Sequence, residues 1–375
     1  LRMSFCIPRF FQKTILGAAI AATFGVSLVA VAPDGEAAQI KRVLRGTVSF
    51  TVDDAVILVD LTPQLGTPVV PLDLSKTFVL ISTSFTGANN PAWSLMSAKF
   101  DDAQTLVIQR GIATGTPNVD YTVVEFVSGV NVIHGSSTMA DTVTTKVTTL
   151  PQSVHLSRAF TLLGIQFAVR VTGQPQSNTD EAWTTTANLT ATNQITFQRN
   201  ETNTKWVLGL FYQVVEFLDA TVNVQKGTPQ ITSTSTDGTC TAGTCVTATL
   251  SPAVDPAKSL LLFTRRGGTL VAGDERFFEV SGEVTNGTTL TFTRGGSTDS
   301  VDIVYYLVEF KDAAFVQKAT TNVTTTVVGG TTNVTLTSID LARSFPVISA
   351  SGSGGNTGNG AQDEVLVRAQ LTTAT

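Results

Sequence analysis

Apolar and polar residues alternate in short runs along most of the chain after residue 37. In the run 121–126 (YTVVEF), alternate side chains of an extended strand would point to opposite faces. Clusters of Gly, Asn, Pro and Thr separate the runs, as in 86–91 and 111–118. Short alternating runs between turn formers predict β-strands, and no window after residue 37 combines helical spacing with helix caps. The pattern therefore predicts an all-β protein.

The run that ends in Glu-Phe recurs at a spacing of about ninety residues. Its glutamates, Glu125, Glu216 and Glu309, differ by 91 and 93 positions, and each follows a Tyr by four residues. Three further elements recur in the same order: a V-x-x-G run, a turn with the pattern S-[KR]-x-F, and a strand that ends in Arg. Four elements that keep their order through three copies identify a tandem repeat.

A unit of about ninety residues with six to eight strands has the size of a β-sandwich, whereas solenoid and propeller repeats are shorter, at roughly 20–50 residues. We predict independent sandwiches with separate cores, arranged like beads: 38–129, 130–220, 221–313 and a partial copy at 314–375. The partial copy lacks the Arg and Glu strands and keeps one further strand, Glu364 to Leu371. It is expected to be a fragment of a unit, the alternative being completion by a strand from a partner.

The N-terminal segment has the order of a secretory signal peptide. Basic residues precede an uncharged run at 15–32, and small residues lie before Ala38. This order predicts a signal peptide over 1–37 with cleavage after Ala37, the alternative being an uncleaved anchor. We therefore expect an extracellular or cell-surface protein with no membrane segment beyond the signal peptide. Export also predicts that Cys240 and Cys245 form a local disulfide.

The charge distribution narrows the function classes. Charged residues make up 14% of the chain, the net charge is −5, and no block of like charges occurs. This composition argues against a nucleic-acid partner and against a polybasic membrane patch.

The repeated charged residues are the main candidates for chemistry. Each Glu strand follows an Arg strand, which gives three candidate pairs: Glu125 with Arg110, Glu216 with Arg199, and Glu309 with Arg294. A structural pair between neighbouring strands is the favoured interpretation. The alternative is glycoside hydrolysis, which requires a second carboxylate facing the same substrate. With two histidines, no zinc-type cluster and no G-x-S-x-G motif, we expect no enzyme, no metal and no cofactor.

Trp93 and Trp183 are candidates for stacking on sugar rings. They open corresponding strands in the first two units, but Phe277 aligns with Trp183 in the third unit and Leu366 in the fourth. A position that accepts Trp, Phe or Leu is typical of hydrophobic packing, so a core role is favoured over sugar binding.

The repeated elements also carry a resemblance to known proteins. Their order resembles tandem repeats of large secreted or cell-surface proteins of environmental bacteria, through residues after position 42: Lys76, Phe78, Arg199, Tyr212, Glu216, Phe217 and Gly227. A fainter resemblance is to H-type lectin domains, which are small six-stranded sandwiches with a sugar-contacting Trp near the final strand. Here the matching places hold Phe126, Phe217 and Phe310, so no sugar site is carried over.

These features predict a structural or adhesive repeat protein without catalytic activity. The alternative is an array of carbohydrate-binding, lectin-like modules. The partners expected for either function are cell-surface glycans or other surface proteins.

Overall fold

The structure is a computed structural model, and it describes thirteen parts of the chain. These are residues 38–84, 95–113, 115–170, 184–200, 202, 206–218, 220–236, 240–267, 278–297, 299–311, 316–320, 333–351 and 367–373. The predicted signal peptide, Trp93 and Trp183 lie outside the described residues.

The first unit consists of six strands in two antiparallel three-stranded sheets. The strands are β1 (Gln39–Ser49), β2 (Val56–Asp60), β3 (Thr77–Ser84), β4 (Met96–Phe100), β5 (Thr105–Arg110) and β6 (Asn118–Ser128). One sheet has the order β1-β6-β3 and the other β2-β5-β4. We call the first the glutamate sheet, because Glu125 lies on its central strand, and the second the arginine sheet, because Arg110 ends its central strand.

The second unit repeats this topology, and the third repeats it with one additional short strand, β14 (Gln230–Ile231), in its glutamate sheet. The second unit contains β7 (Val130–Met139), β8 (Thr145–Thr149), β9 (Ala159–Arg170), β10 (Thr186–Ala191), β11 (Gln194–Gln198) and β12 (Trp206–Phe217). The third contains β13 (Val222–Gly227), β14 (Gln230–Ile231), β15 (Cys245–Thr249), β16 (Ser259–Gly267), β17 (Val280–Asn286), β18 (Thr289–Arg294) and β19 (Val301–Phe310). Their glutamate sheets are centred on β12 and β19, and their arginine sheets on β11 and β18. The prediction of an all-β fold with tandem β-sandwiches is confirmed.

Alternation along the strands builds a core inside each sandwich. In the first unit, Leu106 and Ile108 of β5 face Val119 and Val123 of β6, and all four side chains are fully buried. The third unit has a corresponding core around Leu290 and Leu307. Burial of such side chains stabilises a sandwich by roughly 1.5–3 kcal/mol for each residue.

The outer faces of the glutamate sheets are also buried, because the units pack on one another. The Phe126 and Phe217 rings lie 6.3 Å apart across the first two units, and the Phe217 and Phe310 rings 5.4 Å apart across the next two. Val124 and Val308 belong to the same hydrophobic cluster. Residues 35–375 form one compact unit. The units are therefore not separate beads. The first and third sandwiches have cores of their own, whereas the core of the second is continuous with the hydrophobic layer between units.

The fourth unit contributes a 3-10 turn at Leu341–Arg343, and no strand is assigned in its described residues 316–320, 333–351 and 367–373. These residues contact the third unit, as in the bond from Gly282 N to Ser349 Oγ, and the first unit. The Phe345 and Phe78 rings are 5.7 Å apart, and Arg368 Nη1 lies 2.8 Å from Asp120 Oδ1. In the described part of the chain, no helix is long and apolar enough to cross a membrane.

Candidate functional sites

Each unit pairs a glycine with a buried tyrosine across two strands of its glutamate sheet. The partners in the register are Gly46 with Tyr121, Gly135 with Tyr212, and Gly227 with Tyr305. A Cβ atom would lie 2.5 Å from Tyr121 Cζ at position 46 and 2.5 Å from Tyr305 Cε1 at position 227. The tyrosine ring therefore occupies the space that a side chain would take. This contact explains why V-x-x-G and the Tyr that precedes Glu recur together.

Each repeated arginine binds the backbone of one loop in its own unit. Arg110 donates through Nε to the carbonyl oxygen of Asp54 at 2.7 Å and through Nη2 to that of Thr51 at 2.5 Å. Arg199 makes the same contacts with Val143, at 3.0 Å, and Ala140, at 2.5 Å. The loop in question joins the first strand of the glutamate sheet to the first strand of the arginine sheet.

In the third unit, Arg294 donates through Nε to the carbonyl oxygen of Gly243 at 2.8 Å. All three arginine side chains are almost fully buried, with exposed fractions of 1–3%. Burial lowers the pKa of Arg294 to about 10, against the opposing effect of Asp299. Hydrogen bonds from a charged donor are strong enough to offset much of the cost of desolvation.

Each repeated glutamate accepts a backbone N–H from the residue that precedes the 3-10 turn of its unit. Glu125 Oε1 accepts from Asp73 N at 3.0 Å, Glu216 Oε1 from His155 N at 2.7 Å, and Glu309 Oε1 from Asp255 N at 2.8 Å. The turns are Leu74–Lys76, Leu156–Arg158 and Pro256–Lys258. The glutamate thus fixes the chain where it enters the strand β3, β9 or β16.

The first unit adds two cations to this site. Lys41 Nζ lies 2.9 Å from Glu125 Oε1, and Arg42 Nε lies 2.5 Å from Glu125 Oε2. The second and third units carry Val and Asn at the positions of Lys41 and Arg42. The ion pairs are therefore specific to the first unit, whereas the bond to the turn is common to all three.

The structure does not bring the predicted Glu–Arg pairs together. Glu125 lies opposite Arg42 and Thr77 in the glutamate sheet, whereas Arg110 lies opposite Met96 in the arginine sheet. The same separation holds for the other two pairs, because their strands are also central strands of different sheets. Strands that follow one another in the chain here cross from one sheet to the other, so they are not neighbours in the hydrogen-bonded register.

The predicted disulfide joins Cys240 and Cys245, whose Cα atoms are 6.3 Å apart. It closes the third unit's version of the loop that the arginine binds, directly beside Gly243. Gly243 has a φ of +80°, the left-handed region that favours glycine. The disulfide therefore reinforces an arginine-bound loop that contains no cysteine in the other units.

The remaining candidates give no assembled site in the described residues. His155 takes the position that Asp73 and Asp255 hold in their units, but its side chain makes no capping bond. No group of three or more His, Cys, Asp or Glu side chains within the described ranges is placed to hold a metal ion. Trp93 and Trp183 belong to the undescribed segments.

A cavity of about 190 Å³ lies where the fourth unit meets the first. Arg45, Asp120 and Thr122 line it from the glutamate sheet of the first unit, and Gln370 lines it from the fourth. Sequence reasoning missed this cavity, because it depends on a contact between segments about 250 residues apart, as the bond from Gln370 to Asp120 illustrates.

No model of a known protein family matches the chain, and no curated protein matches it at a significant level. The fold and the geometry of the repeated residues therefore carry the functional argument. They define a tandem β-sandwich protein with a repeated set of buried polar contacts.

Proposed function

We propose that this protein is a secreted or cell-surface repeat protein with a structural or adhesive role and without catalytic activity. One observation carries the proposal: in all three units the recurring Glu and Arg side chains bind backbone groups of their own unit. Residues repeated for catalysis would face a substrate, whereas these residues fasten turns and loops.

The burial of the glutamates supports a structural role. Glu125, Glu216 and Glu309 have exposed fractions of 0%, 5% and 9%, and one oxygen of each already accepts a backbone N–H. A glycosidase needs two carboxylates that both reach the same bond of a substrate. In the first unit the carboxylate of Asp73, whose N–H Glu125 accepts, binds Ser75 and Lys76. This arrangement favours a folding role for both groups.

The N-terminal segment and the repeat order support a place outside the cell. A basic start, an uncharged run and a small-residue site form the signal sequence on which the proposal of export depends. The resemblance to tandem repeats of large secreted or cell-surface bacterial proteins points the same way. An array in which neighbouring units share a hydrophobic layer suits a stiff element, because bending would expose that layer to water.

The alternative function is an array of carbohydrate-binding modules. Six strands in each of the first two units and seven in the third agree with the size of an H-type lectin domain. However, Phe126 and Phe217, which stand where such a domain has its sugar-contacting Trp, lie in the layer between units with exposed fractions of 5% and 2%. Trp93 and Trp183 remain the candidates for this function.

Localisation tests the proposal of export. The full chain with a C-terminal epitope tag would be produced in a bacterial host, and intact cells would be labelled with a membrane-impermeant reagent. We expect surface or medium signal and a mature N-terminus at Ala38 by mass spectrometry. A protein retained in the cytoplasm with residues 1–37 still attached would contradict it.

A glycan array tests the structural role against the alternative. The mature chain from Ala38 would be compared with the variants Trp93→Ala and Trp183→Ala. The structural proposal expects no sugar binding that depends on either tryptophan. Reproducible binding that either substitution abolishes would favour the carbohydrate-binding array.

A further inference from the structure

The cavity between the fourth and first units results from one short side chain. In the register of the glutamate sheets, Thr122 lies opposite Arg45, Gln213 opposite His134, and Tyr306 opposite Lys226. These are equivalent positions in three consecutive units: Thr122 faces the fourth unit, Gln213 the first and Tyr306 the second. Their side chains differ in length, so the three interfaces are filled to different extents.

In the second and third units the long side chain reaches the backbone of the neighbouring unit. Gln213 accepts the Val79 N–H through Oε1 and donates through Nε2 to the Val79 carbonyl oxygen, both at 2.8 Å. Tyr306 accepts the Leu189 N–H at 2.8 Å through its hydroxyl oxygen. Thr122 is too short for such a bond and lines the cavity of about 190 Å³ instead.

The cavity wall carries an unsatisfied cationic donor. Arg45 donates through Nη2 to the Ser344 carbonyl oxygen, but its buried Nε–H makes no hydrogen bond to the described part of the protein. Arg45 forms no ion pair with a carboxylate among the described residues. A cation without a carboxylate partner at the wall of a cavity favours an anion that enters the cavity.

The acidic residue of the cavity is already neutralised. Asp120 Oδ1 lies 2.8 Å from Arg368 Nη1 and accepts from Gln370 Nε2 at 2.7 Å and from Thr47 Oγ1 at 2.6 Å. Because Arg368 balances Asp120, the guanidinium of Arg45 is the excess charge at the cavity. The wall of the cavity thus presents the guanidinium of Arg45 together with hydroxyl, amide and carboxylate groups.

We propose that this cavity binds a single uronic acid residue, a sugar that carries a carboxylate. The carboxylate would accept hydrogen bonds from Arg45, since a guanidinium matches a carboxylate in shape and charge. The ring hydroxyls would meet the polar groups of Thr122, Asp120 and Gln370. The volume lies below the roughly 300–1,000 Å³ of pockets for drug-sized ligands, and it suits one monosaccharide.

This site goes beyond the proposed structural role, which requires no ligand. It also differs from the tryptophan positions on which the lectin-like alternative depends. Acidic monosaccharides occur in surface polysaccharides, so such a site would give an adhesive array a preference for charged chains.

Calorimetry on the full chain tests the site with four probes: D-glucuronate, D-galacturonate, D-glucose and acetate. We expect at least one uronate to bind at least tenfold more tightly than both glucose, which lacks the carboxylate, and acetate, which lacks the ring. The variant Thr122→Gln copies the second unit and fills the cavity, so it should abolish binding while the unfolding midpoint stays constant or rises. Arg45→Gln should also abolish binding. Arg266→Gln, which removes a cation paired with Asp302 in the third unit, is the matched control and should leave binding unchanged.

Three results would overturn the proposal: no binding of either uronate, binding of glucose or acetate as tight as that of the uronates, or full affinity in both Thr122→Gln and Arg45→Gln. None of them affects the structural role, which the localisation and tryptophan experiments test separately.

Discussion

Replacing Gly135 by Ala tests whether the recurring Gly–Tyr contact holds the glutamate sheet together. Gly135 has no left-handed φ, so alanine meets no backbone strain there. The new Cβ would lie 2.7 Å from Tyr212 Cε2, whereas ordinary contacts between such atoms begin near 3.4 Å. Tyr212 has an exposed fraction of 5%, and its ring packs on Phe197 with centroids 5.6 Å apart. The ring therefore cannot move aside without disturbing the core of the second unit.

The expected loss of stability follows from two opposing effects. Overpacking a well-packed site costs about 1–3 kcal/mol. Alanine in place of glycine inside a strand recovers about 0.5–1 kcal/mol, because the unfolded chain has less freedom to lose. Since the ring is held from behind by Phe197, we place the cost in the upper half of its range. The net loss is then about 1–2.5 kcal/mol.

Hydrogen exchange monitored by mass spectrometry measures this loss locally, which matters because several sandwiches need not unfold in one step. Exchange in peptides from β7 and β12 should accelerate roughly 5- to 60-fold, at about tenfold for each 1.4 kcal/mol. Gly209→Ala on the same strand β12 is the matched control. Its Cβ would meet only the flexible Gln166 side chain and the edge of Phe211, at 3.2 Å or more, so exchange should change little.

Repeating Gly135→Ala in a Tyr212→Leu variant tests whether the contact with the Tyr212 ring causes the loss of stability. In a Tyr212→Leu variant the ring is gone, so adding Gly135→Ala should have no effect or slow exchange. Equal losses in the Tyr and Leu backgrounds would refute the contact, and so would unchanged exchange in the single Gly135→Ala variant.

Three further predictions concern the buried polar groups. Glu216→Ala leaves the His155 N–H without its acceptor and should lower the free energy of unfolding of the second unit by about 1–3 kcal/mol. Glu216→Gln keeps an acceptor oxygen and should lower it by less than about 1 kcal/mol. Equal losses for the two variants in urea unfolding would contradict this role of Glu216. Arg199→Ala removes a side chain with an exposed fraction of 1% and releases the loop at 140–144, so limited proteolysis should cut this loop first. A variant as resistant to proteolysis as the parent would argue that Arg199 does not hold the loop. Burial raises the pKa of all four tyrosines, that of Tyr306 to about 12. The contribution of Tyr306 to stability is therefore complete below pH 10 and is lost as the pH rises from 10 to 12. Tyr306→Phe should flatten this loss in unfolding experiments, and a phenolate absorbance titration that midpoints at 10 for all four tyrosines in the folded protein would contradict it.

The repeat and its strands could be predicted from the sequence, because alternation and turn formers are local signals. The Glu–Arg pairs could not, because pairing depends on which sheet a strand enters. The connection at 111–117 between β5 and β6 is longer than the two to five residues of a tight hairpin, and here it crosses between the sheets. The partners of Glu125 and Arg110 are backbone groups of turns and loops, which any residue type supplies. No pattern of side chains could have indicated them.

The shared layer between units did leave a signal in the sequence, although alternation alone conceals it. A strand with one solvent-exposed face carries polar residues on that face, yet the Glu strands are apolar on both faces. Val214 points inward and Val215 outward, and both side chains are fully buried. Strands buried on both faces give such continuous apolar runs. The exceptions on the outer face include Thr122, Gln213 and Tyr306, together with Asp120 and Asp302, and all of them lie where neighbouring units meet. Polar residues in an otherwise apolar run therefore mark the interfaces, and differences among them from unit to unit mark where an interface leaves room for a ligand.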